Sequence, residues 1–249
     1  MSGHINIGSV SGQGIQIGSG NQQVNNTSER WPAEQPAAEQ PAADQARGGS
    51  VSALYAFADI VGYSRLTVRL QKMSQDDLAD LLDVSLAEAG IGPELVEGQD
   101  QGDARLLMFP PHTEPARVLA VMPRHLNDEL LARNQDMAAH AQMRIRLSFT
   151  MGAAVPGGTG LAGAAPIAVV RLGNSDILRQ AMAAAPAAQC GVIIDNYLHG
   201  EYVRQGFRAD ISPDDYVSVR VSNPEKGFDA AAWMKLFGYS RQQMAALLP

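Results

Sequence analysis

The pattern of apolar and polar residues changes at residue 51, and strand-like and helix-like segments alternate from there on. The short apolar run SALYAFADI predicts a buried strand, and leucines at helical spacing from Leu66 to Leu86 predict a long helix or a pair of helices. Two strands joined by a turn between Gly98 and Gly102 follow, then an amphipathic helix over 115–135 and the strand MRIRLSFTMGAAV. The predicted order is therefore βαββαβ.

The remaining segments extend this unit. VVRLGNSDILRQAMAAA predicts one further helix, GVIIDN a strand, and YVSVRVS and AAWMKLFG two closing strands. Strands close to helices, some joined as hairpins, indicate an α+β fold with helices on one face of the sheet or on both. We assign a folded domain to residues 51–238 and a C-terminal tail to residues 239–249.

The first 27 residues have a different character. They contain no Asp, Glu, Lys or Arg, and the pattern Ile-polar-Ile-Gly occurs twice, ten residues apart. This alternation predicts two short strands joined by an arch. When identical chains stack, the open strand edges would pair between chains and the isoleucine faces would be buried. The residues assigned to this homotypic assembly are Ile5, Ile7, Ile15, Gln16, Ile17, Gly18 and Asn21.

The segment IQIG followed by GN resembles the receptor-interacting homotypic interaction motif, and more closely the Gly-rich bacterial amyloid signalling motifs of immune receptors and their effectors. The alternative interpretation is a disordered Gly-Ser tail, which this composition usually indicates. Residues 28–50 repeat a Pro-Ala-Ala-acid-Gln unit and predict an extended linker.

Composition excludes several functions. The chain has 249 residues, 45% of them hydrophobic, a formal charge of −7 and a pI near 5.2, so we expect no binding to nucleic acid. The single cysteine, Cys190, lies in an apolar run and predicts a buried thiol. No long apolar run and no signal peptide is evident, so we expect a cytoplasmic protein without a membrane partner.

Two carboxylates stand at the edges of apolar runs, Asp59 in AFADIVGYSRL and Asp103 in QGDARLLMF. Acids at neighbouring strand ends are suitable oxygen ligands for a shared cation. Taken singly, each would more simply be a solvated acid at a strand end.

Four blocks in order, FADIVGYS, GDARLLMF, SFTMGAAV and GAAPIAVVRL, resemble the class III nucleotide cyclase homology domain over about residues 51–238. The resemblance is strongest to actinobacterial cyclase-like domains, whose features here are GDA followed by FPP, Asn134 after a Leu-rich helix, RIRL and VVRL. It implies an α+β fold with a ferredoxin-like βαββαβ core and extra C-terminal helix and strands.

The resemblance also implies a chemistry. A nucleoside triphosphate would be cyclised at a homodimer interface by two Mg²⁺ or Mn²⁺ ions, with the metal acids from one subunit and the arginine and base-selecting groups from the other. The implied metal ligands are Asp59, the carbonyl of Ile60 and Asp103; the amides facing phosphate are those of Val61, Gly62 and Tyr63; and the transition-state arginine is Arg171.

Other family positions are altered. Ile167 stands where the family has an asparagine, Gln99 replaces a purine-selecting lysine, and the partner acid or threonine falls near Gly160. Ala104 replaces the third residue of GDG. The sequence is compatible with a cyclase of altered base choice, or with a domain that has lost turnover and keeps a nucleotide pocket or a dimer interface.

The combined prediction is a bacterial signalling or defence effector. Its N-terminal motif would recruit it to a receptor or other protein that carries a matching amyloid motif, and its cyclase-like domain would make a cyclic nucleotide. The alternative is a catalytically degenerate domain that acts as a nucleotide-binding or protein-interaction adaptor.

Overall fold

The computed structural model describes residues 51–158 and 160–248. The predictions for residues 1–27 and 28–50 lie outside these residues. An eight-stranded sheet has the order β2-β3-β1-β4-β6-β8-β7, with β5 paired to the end of β4. The strands are β1 (Val51–Ile60), β2 (Glu97–Asp100), β3 (Ala104–Met108), β4 (Ile145–Gly157), β5 (Gly160–Ala162), β6 (Cys190–Asp195), β7 (Val217–Asn223) and β8 (Phe228–Leu236).

Six α-helical segments surround the sheet within the described residues. They are α1 (Val68–Glu88), α2 (Pro115–Gln135), α3 (Ala164–Gly173), α4 (Asp176–Ala184), the single turn α5 (Asn196–Leu198), which continues as a π-helical turn (His199–Val203), and α6 (Arg241–Ala246). Short 3₁₀ turns lie at Tyr63–Arg65, Pro93–Leu95, Ala139–Ala141, Pro213–Asp215 and Pro224–Lys226. The first six major elements, β1-α1-β2-β3-α2-β4, confirm the predicted βαββαβ order.

Alternation along β1 separates two apolar layers. Leu54, Ala56, Ala58 and Ile60 belong to the core that α1 and α2 cover, whereas Ala53, Tyr55 and Phe57 pack with α3 on the opposite face. Helices therefore lie on both faces of the sheet, and the α+β prediction is confirmed.

Strand β4 accommodates α3 through small polar side chains. The Ser148 hydroxyl donates to the Val169 carbonyl at 2.7 Å, and the Thr150 hydroxyl donates to the Ala165 carbonyl at 3.3 Å. Both side chains are buried, and these bonds satisfy their polar atoms. These two hydrogen bonds fix the distance between α3 and the sheet.

One predicted helix is two helices. The segment VVRLGNSDILRQAMAAA breaks after Gly173, and Ser175 has extended backbone angles as the residue before α4. A Cβ on Gly173 would lie 2.6 Å from Cδ1 of Phe57, so the close approach of α3 to β1 requires glycine there. Gly-Asn-Ser-Asp is a stop signal followed by an N-cap, which helical periodicity alone does not detect.

The folded domain extends beyond the predicted boundary at residue 238. Residues in the assigned C-terminal tail form α6, which begins with a capping box between Ser240 and Gln243. Met244 is fully buried against the layer that contains Leu236 and Met234. Throughout 51–158 and 160–248, no helix combines the length and apolarity needed to cross a bilayer.

Candidate functional site

The first predicted metal acid, Asp59, lies near the end of β1 on the face that α3 covers. Its register partners are Arg146 on β4 and Ala104 on β3. Nε of Arg146 donates to Oδ2 of Asp59 at 2.9 Å, and Nη2 makes a second, shorter contact with the same oxygen. Only 5% of Asp59 is exposed. Asp59 is thus held in a buried ion pair across two adjacent strands.

The second predicted metal acid, Asp103, is brought to the same corner by the β2–β3 turn. The Ile60 amide donates to the Asp103 carbonyl at 3.0 Å, and the Gln101 amide closes the turn on the Ala104 carbonyl at 2.7 Å. Gly102 has φ +79°, a left-handed conformation that favours glycine. The turn therefore places Asp103 directly beside the end of β1.

The pKa of Asp59 reflects this crowding. Burial is the largest influence and raises the pKa above 3.8, the neighbouring Arg146 lowers it, and the negative charge of Asp103 raises it again. The net direction is upward, because loss of hydration outweighs the ion pair. The pKa of Asp59 thus reflects its removal from water more than the charge of its neighbours, among which Arg179 also lowers it.

The donor chemistry suits a divalent cation, because carboxylate and carbonyl oxygens are the ligands that Mg²⁺ prefers. Both contacts from Arg146 fall on Oδ2 of Asp59, which leaves Oδ1 without a contact to this arginine. Among the described residues, no cluster of three or more His, Cys, Asp or Glu side chains forms a metal site. Mg²⁺ commonly binds through one or two carboxylates and completes its shell with water and substrate phosphate.

The three predicted phosphate-facing amides follow β1. The Val61 amide donates to the Arg144 carbonyl at 2.9 Å, which engages it within the protein. Gly62, with φ +75°, precedes the 3₁₀ turn that begins at Tyr63. The first amides of a helical turn have no partner within the turn, so Gly62 and Tyr63 are the amides suited to an anion.

The predicted arginine and base-selecting residues meet in a separate cavity of about 490 Å³. It is lined by Gln99, Gln101, Leu106, Gly160, Leu161, Ala162, Pro166, Ile167, Val170, Arg171 and Lys226. The Arg171 guanidinium lies over the Phe228 ring at 5.3 Å from its centroid. Neither Asp59 nor Asp103 lines this cavity.

The altered base positions contact each other directly. A Cβ on Gly160, which has φ +132°, would lie 2.6 Å from Oε1 of Gln99. Ile167 is 50% exposed and presents a branched apolar side chain to the cavity where the family has an amide. This half of the site therefore carries two positive side chains, Arg171 and Lys226, and the rest of its lining is uncharged and partly apolar.

A second cavity, of about 390 Å³, adjoins the first along α3 and is rich in cations. Arg171, Arg179 and Lys226 line it, together with the polar side chains of Asn174 and Asn223. Nη2 of Arg179 donates to Oδ1 of Asn174 at 2.8 Å. Asp176 also lines this cavity and pairs with Arg179 at 3.9 Å, so the lining carries three positive charges and one negative charge. A net positive lining attracts an anion such as a phosphate.

Sequence reasoning missed Arg146, Arg179 and Lys226. Arg146 had a usable signal, since it falls on the polar alternation of β4 with Ser148 and Thr150 inside an otherwise buried strand. The other two carry no such signal, because Arg179 sits on an exposed helix face and Lys226 in a surface turn.

Solved structures of nucleotide cyclases share this architecture. The guanylyl cyclase Cya2 aligns with TM-score 0.54 and 13% identity, over 78% of this chain and 98% of that one. An adenylate/guanylate cyclase/hydrolase from Silicibacter pomeroyi aligns with TM-score 0.52 and 16% identity, over 75% and 98%. A bacterial light-regulated adenylyl cyclase aligns with TM-score 0.52 and 12% identity, over 80% and 97%. The domain has the class III cyclase fold.

At identities of 12–16% the similarity establishes the fold. A comparison with protein-family models finds no match, and neither does a comparison with curated proteins. The roles given to Asp59, Asp103 and Arg171 stay predictions.

Proposed function

We propose that the cyclase-like domain converts a nucleoside triphosphate to a cyclic nucleotide and pyrophosphate. The observation that carries the proposal is the convergence of Asp59 and Asp103 beside Arg146 in a domain with the cyclase fold. Paired divalent cations would supply charge neutralisation and activation of the 3′-hydroxyl.

Each group of the chain has a separate task in this scheme. Asp59, Asp103 and the Ile60 carbonyl would hold Mg²⁺ or Mn²⁺, and the amides of Gly62 and Tyr63 would bind phosphate oxygens. The 3′-oxygen bonds to the α-phosphorus while the bond from that phosphorus to the α,β-bridging oxygen breaks, and pyrophosphate leaves. The proton of the 3′-hydroxyl passes to water. The positive Arg171 stabilises charge on the phosphate oxygens during this exchange.

The site would be completed by a second copy of the chain. Arg171 lines cavities that contain neither acid and rests on Phe228 of its own chain. A homodimer would place the Arg171 cavity of one subunit opposite the acid corner of the other. Gln99 and Gly160 would then contact the base, with an uncharged amide in place of lysine.

One assay tests turnover. The full-length protein is incubated with ATP, GTP, CTP or UTP and Mn²⁺, and cyclic product is measured beside Asp59→Ala. We expect product from at least one nucleotide and none from the variant. Equal product from both proteins would exclude Asp59 from the chemistry.

A mixing experiment tests the shared site. Asp103→Asn and Arg171→Ala are each expected to be inactive. Random re-association gives heterodimers as half of the dimers, each with one intact site, so the mixture should recover about a quarter of parental activity. Failure of the mixture to recover activity would contradict a site built from two subunits.

A second candidate function is a non-catalytic adaptor that binds nucleotide. The specific observation in its favour is Ile167, whose exposed apolar side chain cannot donate a hydrogen bond to the transition state. Loss of such a donor commonly costs about 2–4 kcal/mol. Nucleotide binding measured by calorimetry without product in the turnover assay would favour the adaptor.

We further propose that residues 1–27 recruit the protein, in a bacterial cytoplasm, to a receptor or other protein with a matching amyloid motif. The doubled Ile-polar-Ile-Gly pattern supports this proposal. Association through the tail would raise the local concentration of cyclase-like domains and favour their pairing.

Charge placed in the repeat tests the recruitment proposal. Ile15→Asp with Ile17→Asp should abolish thioflavin-positive fibrils of the full-length protein. Asn25→Asp with Asn26→Asp adds the same charge outside the repeat and should leave the fibrils intact. Fibrils that persist in the isoleucine variant would overturn this assignment.

A further inference from the structure

Within residues 51–158 and 160–248, one side-chain hydrogen bond joins α1 to the β2–β3 turn that carries Asp103. Nε2 of Gln75 donates to the Gly102 carbonyl at 2.7 Å, although the two residues are 27 positions apart. Gly102 immediately precedes Asp103 and has a left-handed backbone. The peptide unit that Gln75 holds is therefore the one that joins Gly102 to Asp103.

The surrounding packing is open, which increases the importance of this bond. A cavity of about 380 Å³ separates α1 from the turn, and its lining includes Gln75, Ala79, Gly102 and Arg105. Arg105 approaches α1 only as a 3.8 Å ion pair with Asp83. Leu78 and Ala104 also line this cavity, and the Gln75 hydrogen bond is the polar contact that crosses it to the turn.

Besides the Gln101–Ala104 bond that closes the turn, two hydrogen bonds hold the carbonyl groups on either side of the Asp103 Cα. The Ile60 amide holds the Asp103 carbonyl from the β1 side at 3.0 Å, and Gln75 holds the preceding carbonyl from the α1 side. Residues that orient metal ligands commonly change metal affinity by about 10- to 100-fold when removed.

We propose that Gln75 is a positioning residue that sets the Asp103 carboxylate for cation binding beside Asp59. The proposal rests on the proposed function, because it takes Asp103 as a metal ligand. Gln75 itself touches neither metal nor nucleotide.

The test measures Mn²⁺ binding alone, by electron paramagnetic resonance of the free ion with the full-length protein. Gln75→Met keeps the length of the side chain and removes the donor, and we expect affinity to fall on the order of tenfold. Gln75→Glu also removes the donor but adds negative charge near the cation. Electrostatics alone would tighten binding by this variant, so weaker binding would isolate the lost hydrogen bond.

Lys72→Met is the matched control. Lys72 lies on the same helix, pairs with Asp76 and has a 77% exposed side chain, so its variant should bind Mn²⁺ like the parent. Thermal unfolding of all variants is recorded in parallel, since a merely structural role for Gln75 would shift the melting temperature and leave Mn²⁺ affinity unchanged.

Asp103→Asn distinguishes failure of the positioning role of Gln75 from failure of the metal site itself. If Asp103→Asn binds weakly while Gln75→Met binds like the parent, the positioning role is overturned and the metal site stands. If the parent protein binds no Mn²⁺, or binds it no better than Asp103→Asn, the metal site of the proposed function and the role of Gln75 are both overturned.

Discussion

Removing Arg146 is the sharpest test of the acid corner. The side chains of Arg146 and Asp59 are 11% and 7% exposed, so both charges lie largely out of water. Arg146→Ala would leave the Asp59 carboxylate buried beside Asp103 without its compensating charge. Breaking a buried pair in this way costs about 3–5 kcal/mol, a large share of the roughly 5–15 kcal/mol that stabilises a typical domain.

The cost should arise from the uncompensated charge and therefore be recoverable. Asp59→Asn in the Arg146→Ala background removes the negative charge and keeps the shape, so the double variant should regain at least about 2 kcal/mol relative to Arg146→Ala alone. Mn²⁺ should stabilise Arg146→Ala more than it stabilises the parent, because the cation would then replace the charge of the arginine.

Urea unfolding of the full-length protein, followed by tryptophan fluorescence with and without Mn²⁺, measures these differences. The reasoning predicts non-additive effects of the two substitutions. Additive effects, with Arg146→Ala costing less than about 1 kcal/mol, would show that the pair is solvated and would refute the buried-charge argument.

Three further predictions concern stability and turnover. His199 is buried and stacked on Trp233 at 3.6 Å, and burial lowers its pKa to about 4, so the unfolded chain binds its proton first as the pH falls. His199 should contribute a loss of about 2 kcal/mol between pH 7 and pH 5 in urea titrations, measured as the difference between the parent and His199→Phe. Asn134→Ala should cost about 3 kcal/mol by the same measurement, since the Asn134 amide bonds both the carbonyl and the amide of buried Met143 at 2.7 and 2.8 Å. Ile167→Asn places a donor beside Arg171 on an exposed position, so cyclic product should form at least tenfold faster with unchanged stability; an unchanged rate would show that the missing amide is not what limits turnover.

Most of the sheet could be predicted because strand and helix periods differ clearly in this chain. The strand SALYAFADI and the helix over 115–135 were assigned within one residue of their ends. The helix pair α3 and α4 was missed because apolar spacing continues across Gly173 while the backbone does not. Helix α6 was missed because a six-residue helix that buries Met244 has too few turns to show a period.

The site divides into residues that motifs reveal and residues that only the fold brings together. Asp59 and Asp103 stand in recognisable blocks, and their proximity follows from a hairpin that returns to β1. Arg179 and Lys226 come from a helix and a turn that are distant in sequence, and only the packing of α4 and β7 around α3 places them near Arg171. The spacing of these residues along the sequence does not predict that they lie close together.

The altered positions are not spread evenly over the two halves of the site. The acid corner keeps both carboxylates and a buried arginine, whereas Gln99, Gly160 and Ile167 all line one cavity. The fourth altered position, Ala104, is the register partner of Asp59 and so lies in the acid corner. The three substitutions in the cavity would change which base is bound, or how well charge is stabilised, without replacing a cation ligand. We therefore expect cation binding and turnover to be separable, and measuring Mn²⁺ affinity before nucleotide turnover distinguishes a corner that does not bind a cation from a cation-binding corner whose base cavity does not fit the nucleotide tested.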